Sequence, residues 1–345
     1  MTLKIFRKPN VRKQGLKFLI YGLDGCGKSL VALGFPNIAY IDSEAKVFVY
    51  ENNPKYNKNL EFVMDTNNYD KTTEALKEIL SNKECSGVKT VVIDSETNIY
   101  ETMNVVMMEV EEERAKLKAL KNGNNVEFAV NDANVSQRAY GKIKNKHNSL
   151  KSLKLQLSSM GISVISIAHL KDIMNKDQVK TGETADLRKG ATHDYDVIIK
   201  CCKEKDIRTQ KTKFVAYIEK DTTETFSIGE VIDFTWEGGE VSNIIYDRFK
   251  PYMERTGLII NNYESVETLV EKNIEDDAEF KIIGIETKQK ELIEIITKLD
   301  EDGKNQAKTV FQKIANTTTI GEIQDIKIFD KLIEEIKKIQ IEKQG

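Results

Sequence analysis

The sequence predicts an α/β protein: a doubly wound, mostly parallel sheet followed by a small C-terminal helical domain. Three observations carry that prediction. Short apolar, β-prone runs recur over residues 16–21, 37–44, 88–96 and 162–172, as parallel strands buried on both faces do. The first run stops at a glycine-rich segment, GLDGCGKS at residues 22–29, and apolar residues then open a helix. Past residue 264 the pattern changes to Lys, Glu and Ile at helical spacing.

Composition bounds the rest. The chain has 345 residues, 40% hydrophobic and 31% charged, enough for one large core plus an appendage. A net charge of −3 supplies no global field toward nucleic acid, so any such surface must be a local patch. Cys26, Cys85, Cys201 and Cys202 are too few and too irregular for a disulfide framework or a zinc site, and fit a reducing cytoplasm. The N-terminus has no apolar signal-peptide region, and no stretch approaches the ~18 apolar residues of a membrane span. A cytoplasmic location and no membrane partner are therefore expected.

The first strand, LKFLIY, leads directly into G-x-x-x-x-G-K-S, the pattern of a P-loop. Gly22, Gly25 and Gly27 let the backbone wrap a phosphate without Cβ clashes. The cofactor-binding set is Gly22, Gly25, Cys26, Gly27, Lys28, Ser29 and Leu30, and the cofactors expected are ATP and Mg²⁺. Lys28 reaches the β- and γ-phosphates, while the Ser29 hydroxyl goes to Mg²⁺. Asp24 is out of place in such a loop, since it puts a negative charge near phosphate.

Residues 37–44, NIAYIDSE, form the second strand and end in Asp42, Ser43 and Glu44. Residues 88–96, VKTVVIDSE, form the next and end in Asp94. Carboxylates at the C-terminal ends of buried strands lie beside the phosphate loop of a doubly wound sheet. Asp94 is thus placed behind the Mg²⁺ that Ser29 binds; the bland alternative is an acid that caps the following helix. Glu44 is the candidate for polarising water, against a solvated loop acid. Residues 162–172, ISVISIAHLKD, place His169 at a strand end beside the γ-phosphate, as a sensor or as a satisfied histidine.

The order IDSE, VVIDS, ISIAH and then a loop resembles the RecA-like recombinase core over roughly residues 15–240. The nearest resemblance is to phage-encoded, core-only RecA-like ATPases that accompany single-strand annealing systems. The resemblance implies that Glu44 activates water and that His169, where RecA has Gln, couples the γ-phosphate to a DNA-binding loop. It also implies that Lys220, which ends the run KFVAYIEK at 213–220, reaches a neighbouring subunit's nucleotide. Its bland alternative is a solvated lysine. Catalytic roles thus fall to Lys28, Glu44, Asp94, His169 and Lys220, and metal binding to Ser29 and Asp94.

Residues 133–170 contain no acid and carry Arg138, Lys142, Lys144, Lys146, Lys151 and Lys154, an exposed positive surface or an ordinary solvated helix face. Leu150, Leu153, Leu157 and Met160 give the packed side of that segment. Loops are expected at 122–137, with Phe128 its lone aromatic, and at 171–192, following His169. The DNA contacts expected are Lys144, Lys146, Lys171, Arg188 and Lys189. Residues 1–14 read as a basic arm, 15–250 as the ATPase core and 265–345 as a small helical interaction domain, with an acidic linker at 275–279. The leading expectation is a single-stranded-DNA-dependent ATPase of phage recombination, repair or replication. It would self-assemble into a filament or ring, with an annealing or single-strand-binding protein as a further partner. A hexameric helicase-type motor, a phosphotransferase and a nucleotide-gated binding module are the alternatives.

Overall fold

A computed structural model describes residue 9, residues 11–235 and 242–255, several positions between 257 and 270, and residues 278–342 other than 324. Most of the basic arm and the acids Glu275, Asp276 and Asp277 lie outside the described residues. The chain divides into two compact units, Met1–Ser265 and Val266–Gly345.

In the first unit the strands β1 (Lys17–Gly22), β2 (Ile38–Asp42), β3 (Leu60–Asp65), β4 (Thr90–Asp94), β5 (Ser163–Met174) and β7 (Val197–Lys205) pair in parallel. The strands β6 (Lys180–Ala185), β8 (Thr212–Asp221) and β9 (Val231–Asp233) join antiparallel. The order across the sheet is β3-β2-β4-β5-β1-β7-β8-β9, with β6 paired to β5. The fold is therefore the mostly parallel α/β sheet expected, closed on one side by antiparallel strands.

The period-two alternation of the apolar runs sorts side chains to two faces. Phe18, Ile20, Tyr40, Val92 and Ile165 share one core with Val31, Ala32 and Leu33 of α1 (Lys28–Leu33) and with Ile245 and Phe249 of α7 (Ile244–Met253). Ala39, Ile41, Val91, Ile93 and Val164 face the opposite core. There they meet Leu76 of α3 (Tyr69–Ser81), Ile99 and Met103 of α4 (Glu96–Asn122), and Leu150, Leu153 and Leu157 of α6 (Gln137–Ser159). A four-residue helix, α2 (Phe48–Glu51), follows β2.

The two long loops expected from sequence are corrected. Within 122–137 lies the helix α5 (Val126–Asn131), started by Asn125, whose side chain accepts from Phe128 N at 2.9 Å. Within 171–192, β5 runs on to Met174 and folds back as β6. The Asn175 side chain closes the turn by accepting from Asp177 N and Val179 N, both at 2.9 Å. Ion pairs brace this hairpin: Lys180 meets Asp172 across it at 2.7 Å and Glu183 on its own strand at 2.6 Å. Lys154 is also corrected. It is buried rather than part of a basic surface, and its ammonium pairs with Glu96. Pro251 sits inside α7, which supplies Ile245 and Phe249 to the core.

The second unit holds α8 (Ala278–Thr297), α9 (Glu301–Ala315) and α10 (Ile326–Glu342). Leu292, Ile295, Phe311, Phe329, Leu332 and Ile336 form its own core.

Candidate nucleotide site

Strand register gathers the site. Gly22 lies opposite His169 across β1 and β5, Asp42 opposite Asp94 across β2 and β4, and Asp94 opposite Ile167 across β4 and β5. The ends of four strands thus meet along one edge of the sheet, where ligands bind in open α/β folds.

The phosphate loop is held closely from below. A Cβ on Gly22 would stand 2.3 Å from the Cys201 carbonyl oxygen, and one on Gly27, at φ +89°, 2.8 Å from the Phe234 ring. Neither position admits a side chain. Cys26 is a buried residue of the loop, and a hydrogen bond with Cys201 pulls its thiol down to about 7. Leu30 packs on the core that α1 joins. Lys28 is buried, and its ammonium donates to the carbonyls of Gly22 and Leu23, both at 2.9 Å. It is thus folded onto its own loop.

Ser29 Oγ donates to Asp94 at 2.6 Å, and the buried Tyr40 hydroxyl donates to the same carboxylate oxygen. Burial pushes the Asp94 carboxyl above its ordinary range, and the two hydroxyls oppose that shift. Hydroxyl and carboxylate oxygens of this kind fit Mg²⁺. Among the described residues no group of three or more His, Cys, Asp or Glu could hold a metal ion unaided. The remaining ligands of a Mg²⁺ ion here would come from nucleotide phosphates and water.

Glu44 is clamped between His169 and Lys46. His169 Nε2 lies 2.6 Å from one carboxylate oxygen and Lys46 Nζ 2.5 Å from the other. The His169 contact, with Lys46 in support, holds the Glu44 carboxyl well below the usual range, and Glu44 in turn raises the imidazole. Asp42 sets this geometry. Its buried carboxylate accepts from the backbone N–H of Glu44 at 2.8 Å and of Lys46 and Val47 at 2.6 Å. Ser43 is tied to β4 through Ser95, its Oγ donating to Ser95 O at 2.9 Å and accepting from Ser95 N at 2.8 Å.

His169 opens the hairpin. Its N–H donates to Thr97 Oγ1 at 3.0 Å, Thr97 donates to Asp186 O at 2.8 Å, and Asp186 N donates to His169 O at 2.8 Å. One hydroxyl therefore ties β4's following helix to both arms of the hairpin base.

The Lys220 ammonium donates to the Tyr195 carbonyl at 2.6 Å. The expected DNA contacts fall into separate settings. Lys144 is exposed on α6. Lys146 pairs with Asp70 at 2.8 Å and Lys171 with Asp186 at 3.0 Å. Arg188 and Lys189 line one cavity.

Sequence reasoning gave Asp42 no role of its own and missed Tyr40 and Lys203. The last stands over the loop: a Cβ on Gly25 would lie 2.9 Å from its ammonium. The available signal was strand periodicity, because Lys203 is two residues beyond the buried Cys201 and shares its face.

With that geometry in hand, the family model described as AAA domain matches residues 14–225. Among curated proteins, none matches the chain. Two solved structures are similar to it. One is the flagellar accessory protein FlaH from Methanocaldococcus jannaschii: 11% identity, 66% of this chain and 87% of that one, TM-score 0.36. The other is a KaiC-like protein from Pyrococcus horikoshii OT3: 13% identity, 66% and 88%, TM-score 0.38.

Proposed function

We propose that this chain, which belongs to the AAA domain family, is a RecA-like P-loop ATPase that couples ATP hydrolysis to a grip on single-stranded DNA. The observation that carries the reading is the Glu44–His169 contact at 2.6 Å, because His169 lies on the strand that continues into the β5–β6 hairpin. ATP would place its γ-phosphate near Lys28, with Ser29 and Asp94 holding Mg²⁺, which supplies neutralising charge on the phosphate oxygens. Glu44 would accept the proton of the attacking water once His169 lets it go. A histidine that turns from Glu44 to the γ-phosphate would pull on the hairpin, and loss of that phosphate would return it. The hairpin, with Lys171 at its base and Arg188 and Lys189 just beyond, is the surface that would meet DNA phosphates. A phage recombination, repair or replication role follows from this reading. So does self-assembly into a filament or ring, and so does an annealing or single-strand-binding partner met by the helical unit.

The clamp on Glu44 favours one second reading. A carboxylate held by His169 and Lys46 is a poor base, so the protein is also suited to be a nucleotide-gated binding module that turns over slowly. A phosphate-release assay with Mg²⁺·ATP, with and without single-stranded DNA, separates the two. Stimulation by DNA, abolished in Glu44→Gln, supports the coupled ATPase. Retained nucleotide with no release under either condition supports the module. DNA affinity that is equal with a non-hydrolysable ATP analogue and with ADP discards coupling altogether.

A further inference from the structure

A cavity of about 530 Å³ opens between the second half of α6 and the segment that leads into β7, lined among others by His147, Arg188 and Lys189. That is the size of a small-ligand site. Its charges are unbalanced. At the inner end Lys154 and Glu96 form a buried ion pair, and Tyr195 OH completes it, donating to Glu96 at 2.9 Å and accepting from Lys154 at 3.0 Å. At the rim Lys151 is paired with Asp194. Arg188 and Lys189 have no ion pair to any described residue, so the cavity carries surplus positive charge.

His147 supplies an independent sign. It is only 7% exposed, its ring packs edge-on to Tyr100 with centroids 4.9 Å apart, and its Nε2 is buried without a hydrogen-bond partner. Buried polar atoms in folded proteins are rarely left so, and an orphan in a cavity wall marks a place for a ligand. Two unpaired cations exclude a metal ion and favour an anion. The planar fork of Arg188 suits the oxygens of a phosphate in particular.

We propose that this cavity binds a phosphate group, with His147 Nε2 and Arg188 donating to its oxygens and Lys189 adding charge. Arg188 and Lys189 also serve the DNA reading, so a strand's backbone and a free phosphate ester are the two sources that could supply these oxygens. It is also distinct from the phosphate loop, with which it shares no residue.

The chain has three histidines, His147, His169 and His193, so histidine-selective NMR of the full protein reads each one separately. Burial depresses His147 to about 4, with Lys154 and Arg188 lowering it and Glu96 and Asp194 raising it. An anion held against Nε2 favours the protonated ring. Inorganic phosphate is titrated into protein whose phosphate loop is filled with Mg²⁺·ADP. The expected result is a saturable shift of the His147 signal and a rise of its titration midpoint by about one pH unit or more. Arg188→Ala should weaken phosphate binding on the order of tenfold, as loss of a charged donor does, while His169 is unmoved. His147→Gln identifies the signal by removing it. A single-stranded oligonucleotide in place of phosphate tells the sources apart. A shift at lower concentration than with phosphate points to a strand, and a shift with phosphate alone points to a small ester. Silence of His147 toward both, in protein whose His169 responds to nucleotide, overturns the proposal. So does undiminished phosphate binding in Arg188→Ala.

Discussion

At Glu44 a histidine and a lysine hold one carboxylate, and the consequence is a pH window. Glu44 is lowered chiefly by His169, so its share of the contact is present above the ordinary carboxylate range and fades as pH falls toward the folded value. His169 is raised chiefly by Glu44, so its share is complete below about 6.5 and is lost as pH rises through the folded value. Histidine NMR should therefore find His169 titrating above an ordinary histidine, and Glu44→Gln should bring it back down. A His169 midpoint that Glu44→Gln does not move would mean the pair does not exist in solution. Lys28 makes a simpler case. Its ammonium is buried and rests on two carbonyls of its own loop, ready to exchange them for phosphate oxygens. Lys28→Ala should slow hydrolysis at least ~100-fold, the size expected for a lost preorganised charge. Normal phosphate release by that variant would remove the nucleotide role of residues 22–29.

The β2–α2 turn shows how an element positions a reactive group. Asp42 accepts three backbone N–H groups, two of them from residues beyond Glu44. Asp42→Ala leaves those donors to find water or nothing, a cost of about 2–3 kcal/mol. Urea unfolding should show that loss, and phosphate release should fall with it because Glu44 is no longer aimed. Asp42→Asn keeps one acceptor oxygen and should lose less on both counts. Equal stability of Asp42→Ala and parent would make the turn incidental. The same turn marks what could be read in advance. The glycine loop, the strand that ends at Asp94, the strands that carry the chain to Glu44 and through His169, and the leucine stripe of α6 follow from local pattern, because each is set by neighbours in sequence. Tyr40 was passed over because strand alternation says only that it is buried, and its bond to Asp94 depends on register between β2 and β4. The hairpin after His169 was read as loop because its ordering comes from cross-strand ion pairs, Lys180 with Asp172 above all. Lys220 sits where the run KFVAYIEK ends, yet its ammonium turns to the Tyr195 carbonyl, a contact that pattern cannot foresee.

Taken whole, the chain has two bodies, Met1–Ser265 and Val266–Gly345, and each carries its own apolar core. The sheet cores draw on side chains from Leu16 to Met253, and the helical core on side chains from Ile285 to Ile339. Units that bury separate cores are able to fold separately. The nucleotide-site residues from Gly22 to His169 all belong to the first body. Residues 1–265 alone should therefore keep the fold and bind nucleotide as the full chain does. Calorimetry of the full chain with Mg²⁺·ATP should move one transition upward, because a ligand stabilises only the body that binds it, and leave a second where it was. The second unit, expressed alone, should show a helical spectrum. If residues 1–265 fail to fold, or if nucleotide shifts both transitions together, the helical unit is part of the ATPase core. If the shortened chain binds nucleotide but loses stimulation by single-stranded DNA, the helical unit contributes to the DNA response and not to the nucleotide site.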